Sequence, residues 1–575
     1  MNTKTSSLWK IIGASSVGTL IEWYDFYIFG SLATIISSKF FPADQPIASF
    51  MATLATFAAG FVVRPFGALV FGRLGDLVGR KYTFMLTLLI MGGATFLIGC
   101  IPSYATIGYL APLLVLILRL LQGLALGGEY GGAATYVAEH APENQRGYWT
   151  SWIQTTASAG LFLSLIVIMI TRLLVSKEDF EMWGWRVPFW FSIVMVLVSY
   201  IIRKNMGESP LFEKNKEEGK LSKNPLKESF GNKKNLKLVL LALFGVVMGQ
   251  GVVWYTGQFY AMSFLEKVCM LDKVQSDTIM VISLLLGTPF FIFFGKLSDR
   301  MDRKKIMLFG MLIAALSYRP IYHKMYQIID VKSKLEVRSS TKNVLNNNGE
   351  KIEINSTFYQ DGTIKKDQVT IIQGNKEFSK ETKTTIQVSG GNFFFLIVLV
   401  FIQILFVTMV YAPIAAFLVD LFPTSIRYTS MSFPYHIGNG IFGGLLPAIS
   451  TYLATKASAS STVTNSTSYL AGLWYPISVA LVCFIIGLIY LKPSYRFISN
   501  QKLKKYLGYF WILLALFIGY FGIVIFGGPK VIHPKGMDDL VFGYIILCIL
   551  TPIVVGGLVL LGWFAIKNEY SEKNS

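Results

Sequence analysis

Two acids stand inside a stretch that reads as membrane-spanning: IEWYDFYIFG, residues 21–30, carries Glu22 and Asp25. An ionised carboxylate at the centre of a lipid-embedded helix costs a few kcal/mol or more, so such acids face a wet cavity or a cationic partner. Three residues apart, the two share one helix face. Arg119, in LRLLQGLALGGEYGG, is the natural cation. With the first span rising and the fourth descending, a rise of about 1.5 Å per residue puts Asp25 and Arg119 at similar depth near mid-membrane. A guanidinium beside a carboxylate favours its ionised form, and drawing the two apart in a desolvated cavity favours protonation. A carrier that alternates between those arrangements takes up and releases a proton. Arg119 can equally clamp a substrate carboxylate with its two-pronged donors, and the bland alternative for either acid is a structural ion pair. Glu129, about 15 Å from Arg119 along the same helix, lies near the depth of Arg64, which makes a second ion pair there an expectation. The glycines around it (Gly127, Gly128, Gly131 and Gly132) read first as packing residues that let helices approach closely.

A second group of residues suits a pocket. WYTGQFY supplies Trp254, Tyr255 and Gln258, aromatic and amide groups that hydrogen-bond a small polar solute while excluding water. Tyr24, Tyr411 and Asn439 are further candidates; His436 and Asn439, three apart on one apolar helix, serve a helix-to-helix hydrogen bond as readily as a substrate contact. A third group suits a gate. GRLGDLVGRK holds Gly72, Asp76, Arg80 and Lys81, and GKLSDRMDRKK repeats the pattern with Asp299, Arg303 and Lys304. The first lacks the preceding strand and the GK[ST] ending of a phosphate loop. Its acid can cap the next helix or pair with Arg80, holding the cytoplasmic side closed. Arg64 and Arg427 join the gating set.

The elements that must position these groups are long helices. Of 575 residues, 53% are hydrophobic and only 15% charged. About fourteen apolar segments of roughly 18 to 27 residues, the first near Ile11 and the last near Leu540, are each long enough to cross a bilayer core. The first is read as a retained helix rather than a cleaved signal. The net charge of +19 follows from Lys and Arg gathered in alternate loops, which places both termini in the cytoplasm and argues against a nucleic-acid site. Cys100, Cys269, Cys483 and Cys548 lack the spacing of a zinc or redox motif, so no metal and no cofactor is expected. The repeated loops, six spans apart, imply two six-helix halves: residues 1–203 and 236–492, joined by a basic cytoplasmic linker at 204–235. A polar insertion at 322–391, β-rich or partly disordered and extracytoplasmic, interrupts the second half. Residues 493–575 add two helices and a tail.

GTLIEWYDFYIFG, RPFGALVFGRLGDLVGRK, LRLLQGLALGGEYGG, GQGVVWYTGQFYAMSFL and LFPTSIRYTSMSFPYHIGNGIFGG resemble the patterns of the major facilitator superfamily, and within it of the metabolite:proton symporters, whose members carry dicarboxylates, citrate, shikimate, proline or betaine. The resemblance touches both halves but not the insertion or the last two helices. It implies an all-α membrane fold of two six-helix bundles, and coupling through acid and arginine pairs between the first and fourth helices.

The resulting expectation is a secondary active transporter, not an enzyme. It moves an organic acid or zwitterionic solute with a proton across the inner membrane by alternating access, as a monomer in the lipid bilayer. A multidrug-type proton antiporter, which would carry its extra spans between the halves, and a membrane sensor or assembly protein using the insertion are the rivals.

Overall fold

The computed structural model describes residues 2–42, 46–204, 206–345, 351–373, 378–460, 467–491, 501–534, 536–567 and 569–570. The apolar segments form helices because a chain in lipid must satisfy its backbone within each segment. Two long N-terminal helices, α1 (Asn2–Ser31) and α2 (Pro46–Leu77), are followed by α3 (Arg80–Cys100), α4 (Leu110–His140), α5 (Glu143–Leu174) and α6 (Gly184–Lys204). The second half comprises α7 (Lys233–Val268), α8 (Lys273–Ser298), α9 (Arg303–Ile329), α10 (Gly390–Leu421), α11 (Thr424–Ala457) and α12 (Ser468–Tyr490). The appended pair is α13 (Leu503–Ile532) and α14 (Asp539–Ile566). From α3 onward these are the twelve helices, among the described residues, that are long and apolar enough to cross a membrane.

Each half has its own apolar core, one around Ile28, Leu88, Trp185 and Phe189, the other around Val247, Met311, Tyr322 and Val407. Large apolar side chains such as Leu173, Leu174, Leu513 and Phe517 point outward instead, as suits a surface whose solvent is lipid. Within the first half α2 packs on α4 backbone to backbone: a Cβ on Gly127 would sit 2.2 Å from the carbonyl oxygen of Arg64, and one on Gly123 2.3 Å from that of Gly60. The halves meet along α2 with α11 and α5 with α8. Two glycines four residues before the latch acids close those seams. A Cβ on Gly72 would lie 2.9 Å from Thr429 Cα, and one on Gly295 2.4 Å from Ser151 Cβ.

The insertion is a four-stranded antiparallel meander, β1 (Glu336–Leu345), β2 (Lys351–Tyr359), β3 (Ile364–Gln373) and β4 (Phe378–Gln387). It begins later than the sequence reading puts it, because α9 continues to Ile329 with Tyr322 and Met325 buried in the core. Part of the expected insertion, Asn346–Glu350 and Gly374–Glu377, lies outside the described residues. The base of β4 is tied to the start of α8: Asp272 N donates to Ile386 O and Ile386 N to Met270 O, both at 2.8 Å. Gln275 bonds the Val388 backbone through both its oxygen and its nitrogen.

Candidate functional site

Glu22 and Asp25 are both buried on one face of α1. Thr95 Oγ1 of α3 donates to Asp25 Oδ2 at 2.5 Å, Gln122 Nε2 donates to Thr95 Oγ1 at 2.5 Å, and Arg119 Nη1 donates to Gln122 Oε1 at 2.8 Å. The expected acid and arginine are thus brought together, joined by a relay across α1, α3 and α4. Arg119 also lies over the Phe29 ring at 4.3 Å.

Glu22 stands in the field of Arg64 and is electrostatically coupled to Tyr130, Tyr255, Tyr411 and Tyr435. These tyrosines form one group: Tyr130 stacks on Tyr435 with ring centroids 3.8 Å apart, Tyr411 and Tyr435 hydroxyls bond at 2.9 Å, and Gln154 Nε2 donates to Tyr130 Oη at 2.7 Å. Trp254 faces Trp23 across the two halves at 5.1 Å, and Phe259 faces Phe26 at 5.7 Å. Arg64, over the Phe61 ring at 4.4 Å, stands with this central group and apart from the other residues expected to gate.

The other pocket candidates divide. Trp254, Tyr255 and Tyr411 belong to this group, and Gln258 is buried on the same helix as the first two. Tyr24 is turned away: its hydroxyl donates to Pro188 O at 2.7 Å and its ring meets Phe191 of α6. Asn439 makes two reciprocal 3.0 Å bonds with Gln250 of α7, the helix-to-helix bond weighed above. Glu129 pairs with Arg203 of α6 at 2.8 Å and accepts from Thr87 at 2.7 Å, so its cation is Arg203 and not Arg64.

The residues expected to gate form two charge clusters, here called latches, related by the repeat. Asp76 does not cap the helix that follows it. It accepts from the backbone N–H groups of Tyr428 and Thr429 at 3.2 and 2.9 Å, capping α11 of the other half, and pairs with Arg80 at 3.3 Å. Asp299 accepts from Gly147 N and Tyr148 N of α5, both at 2.7 Å, and pairs with Arg303 at 3.1 Å. Each arginine then reaches an acid at the end of a further helix. Arg80 lies 3.5 Å from Glu139, which Arg427 holds at 2.9 Å; Arg303 pairs with Asp420, which Arg146 holds at 2.7 Å. Helix N-termini favour carboxylates because their first N–H groups are unpaired, so both latches cross the seam between halves. Lys81 instead holds the linker, with Nζ donating to Lys204 O at 2.9 Å.

A curated relative, the inner membrane metabolite transport protein YhjE of Escherichia coli, is 30% identical over 463 residues, covering 79% of this chain and 90% of that protein. The chain belongs to the major facilitator superfamily. Its curated relatives are named as transporters of metabolites, of proline and betaine, and of shikimate. It is a multi-pass inner-membrane transporter, and the family described as "Sugar (and other) transporter" matches residues 11–237. The shikimate transporter of E. coli is 36% identical over 54% of this chain and 70% of its own length. The proline/betaine transporter of Salmonella typhimurium is 35% identical over 52% of this chain, which spans 61% of that relative. The solved proton:xylose symporter XylE bound to 6-bromo-6-deoxy-D-glucose shares the fold at 15% identity, with a TM-score of 0.55, over 84% of this chain and 96% of that one. The appended helices match a separate family of unknown function over residues 500–572.

Four residues of this transporter's charge network escape the sequence reading. Glu139, Arg146 and Asp420 complete the latches, and Arg203 neutralises Glu129. A signal for the first three exists: Glu139, Pro142 and Arg146 recur at the same spacing as Asp420, Pro423 and Arg427. Arg203 carries none, since a basic residue ending a span reads as a topology marker.

Proposed function

We propose that this superfamily member is a proton-coupled symporter of a small organic acid or zwitterionic solute, working as a monomer with both termini cytoplasmic and the sheet outside. One observation carries the reading: Glu22 and Asp25 lie buried on one face of α1, with Asp25 relayed to Arg119 and Glu22 facing the groups shared by both halves. A buried acid that meets cations on several helices gains or loses its proton when those helices move. Residues 1–203 and 236–492 rock about the seams, with the latches closing one end and the contacts of Trp23 and Phe26 with Trp254 and Phe259 meeting near the cluster. The appended helices follow α12 rather than separating the halves, which disfavours the multidrug reading.

The test is uptake of L-proline, glycine betaine and shikimate into proteoliposomes with and without an inward proton gradient. Wild-type chain should accumulate one of them at least tenfold more with the gradient. Asp25→Asn should abolish that accumulation while leaving exchange between equal pools, which needs no net proton movement. Gradient-driven accumulation that survives Asp25→Asn would move the coupling role to Glu22 or Glu129; accumulation indifferent to the gradient in wild type would remove it altogether.

A further inference from the structure

Away from the central group, the latch end of the second half contains a cleft of about 500 Å³. Leu297 of α8, Leu312 of α9, Met409 of α10 and Leu488 of α12 line it, and so do Lys304 and Lys305. The lysines stand at the start of α9 and Leu312 follows two turns later. The cleft thus runs about 10 Å along that helix, with its cations at the end nearer the latch. Met301 and Phe309, also in its wall, are 50% and 55% exposed. It therefore opens on the outer surface of the bundle, where the solvent is hydrocarbon as apolar as leucine.

The repeat separates the two lysines by role. Lys81 and Lys304 follow Arg80 and Arg303 at equivalent positions. Lys81 Nζ donates to Lys204 O at the end of α6 at 2.9 Å, and Lys304 Nζ donates to Leu491 O just past α12 at 2.6 Å. Each lysine so ties the third helix of its half to the sixth. The next residue is Tyr82 in the first half but Lys305, which is exposed, in the second. The turn from 299 to 305 carries Arg300, Arg303, Lys304 and Lys305 against Asp299 and Asp302, so cations outnumber acids. Both acids are engaged locally, Asp299 with Arg303 and α5, and Asp302 as the cap of α9 through Lys304 N at 3.1 Å.

We propose that this cleft binds an anionic glycerophospholipid of the surrounding bilayer, with an acyl chain along α9 and the phosphate on Lys305. A lysine at the membrane surface attracts a headgroup of net negative charge and gains little from a zwitterionic one. An acyl chain fills apolar volume whose walls would otherwise lack dispersion contacts. The bound lipid spans walls from α8, α9, α10 and α12 beside Asp299 and Arg303, and so braces the turn that carries the second latch. In the first half it is the linker that meets the corresponding turn, where Glu208 accepts from Lys81 N at 3.1 Å.

The experiment titrates the purified full-length chain, freed of co-purified lipid in detergent, with three probes. They are dioleoylphosphatidylglycerol, dioleoylphosphatidylcholine, which has the same chains, and glycerol 1-phosphate, which has none. Thermal unfolding and amide exchange at residues 300–306 are read for each. The anionic lipid should raise the melting temperature by several degrees and slow that exchange at least threefold, with half-saturation at least tenfold below that of the zwitterionic lipid. Lys305→Gln should weaken the anionic lipid about fivefold, Lys305→Arg should keep its affinity, and Leu312→Trp, which fills the cleft, should remove the slowed exchange. Equal binding of the two lipids, the same protection from glycerol 1-phosphate, no response to any probe, or an anionic-lipid response that Lys305→Gln leaves unchanged overturns the proposal. Lys305→Gln, at an exposed position, keeps the test decisive even if Leu312→Trp does not accumulate.

Discussion

The two latches are built from the same residue types at the same spacings, yet they differ in their surroundings. In the first, the side chains of Asp76 and Glu139 are fully buried and Arg80 is nearly so. In the second, Asp420 is 35% exposed and Arg303 16%. The linker makes the difference. Glu208 accepts from Arg80 N at 3.0 Å and Lys81 N at 3.1 Å, Ser209 Oγ donates to Glu139 Oε2, and the Phe212 ring lies 4.8 Å from the Arg80 guanidinium. Backbone carbonyls complete the shell, with Arg80 donating to Gly75 O and Thr424 O at 2.9 and 2.8 Å. A sealed ion network holds its geometry strongly, because breaking one member leaves an unpaired buried charge at a cost of about 3–5 kcal/mol. An exposed pair is worth about 0–1 kcal/mol and is screened by salt. The pair of latches is therefore unequal: the first is expected to hold its geometry and the second to separate more readily.

The largest effect should come from breaking the sealed acid. Glu139→Gln leaves Arg80 and Arg427 facing a neutral amide, so initial uptake should fall at least tenfold and the melting temperature of the detergent-solubilised chain by several degrees. Asp420→Asn, its counterpart in the repeat, should change uptake by no more than about threefold, in line with an exposed pair. Equal losses in the two variants would erase the inequality. A smaller effect tests the linker's part in it. Phe212→Ala opens the first latch to water, and the uptake rate of that variant should then respond to ionic strength, dropping by about half or less between 50 and 500 mM salt while wild type changes less. A salt response identical to wild type would mean that the Phe212 ring does not keep the network dry.

Much of this was legible in the sequence, and the limits have a physical form. The recurrence of Asp76 with Arg80 and Asp299 with Arg303 announced two equivalent latches. What it could not give was the partner, since each carboxylate caps a helix some 150 or 350 residues away in the chain. Helical rise converts sequence position into depth, so Asp25 and Arg119 could be placed at one level. Rotation about the helix axis is set by packing, and here the same reasoning failed: Glu129 shares a depth with Arg64 but turns to Arg203. Tyr24 illustrates the point within one turn, since it faces α6 while Glu22 faces the tyrosine group. The β-rich expectation for the insertion holds where β-branched residues alternate with polar ones, as in VTIIQ of β3 and TTIQV at the end of β4, whereas the end of α9 did not show because polar residues at its last turns resemble the start of a loop.

The smallest effect concerns the insertion, whose base provides a third charge cluster beyond the ends of the membrane-spanning helices. Asp361, in the turn between β2 and β3, pairs with Lys334 at 2.9 Å, accepts from Thr363 N at 3.0 Å and from Asn392 Nδ2 at 2.8 Å, and so ties the sheet to the start of α10. Burial pushes its carboxyl up, but the Lys334 and Thr363 donors outweigh that and bring it down to about 2. A carboxylate held below its ordinary value of about 4 contributes stability above that value and loses it as pH falls through about 2. Amide exchange in residues 364–370, corrected for intrinsic rates, should therefore stay slow from pH 7 to 5 and quicken between pH 4 and 2. Asp361→Asn should show the quickened exchange already at pH 7. Since the pair is partly exposed, the expected cost is under about 1 kcal/mol, and uptake should remain within twofold of wild type. Were uptake to fall together with the loosening of the sheet, the insertion would be acting on α8 and α10 during transport, and the inequality between the latches would no longer be set by the linker alone.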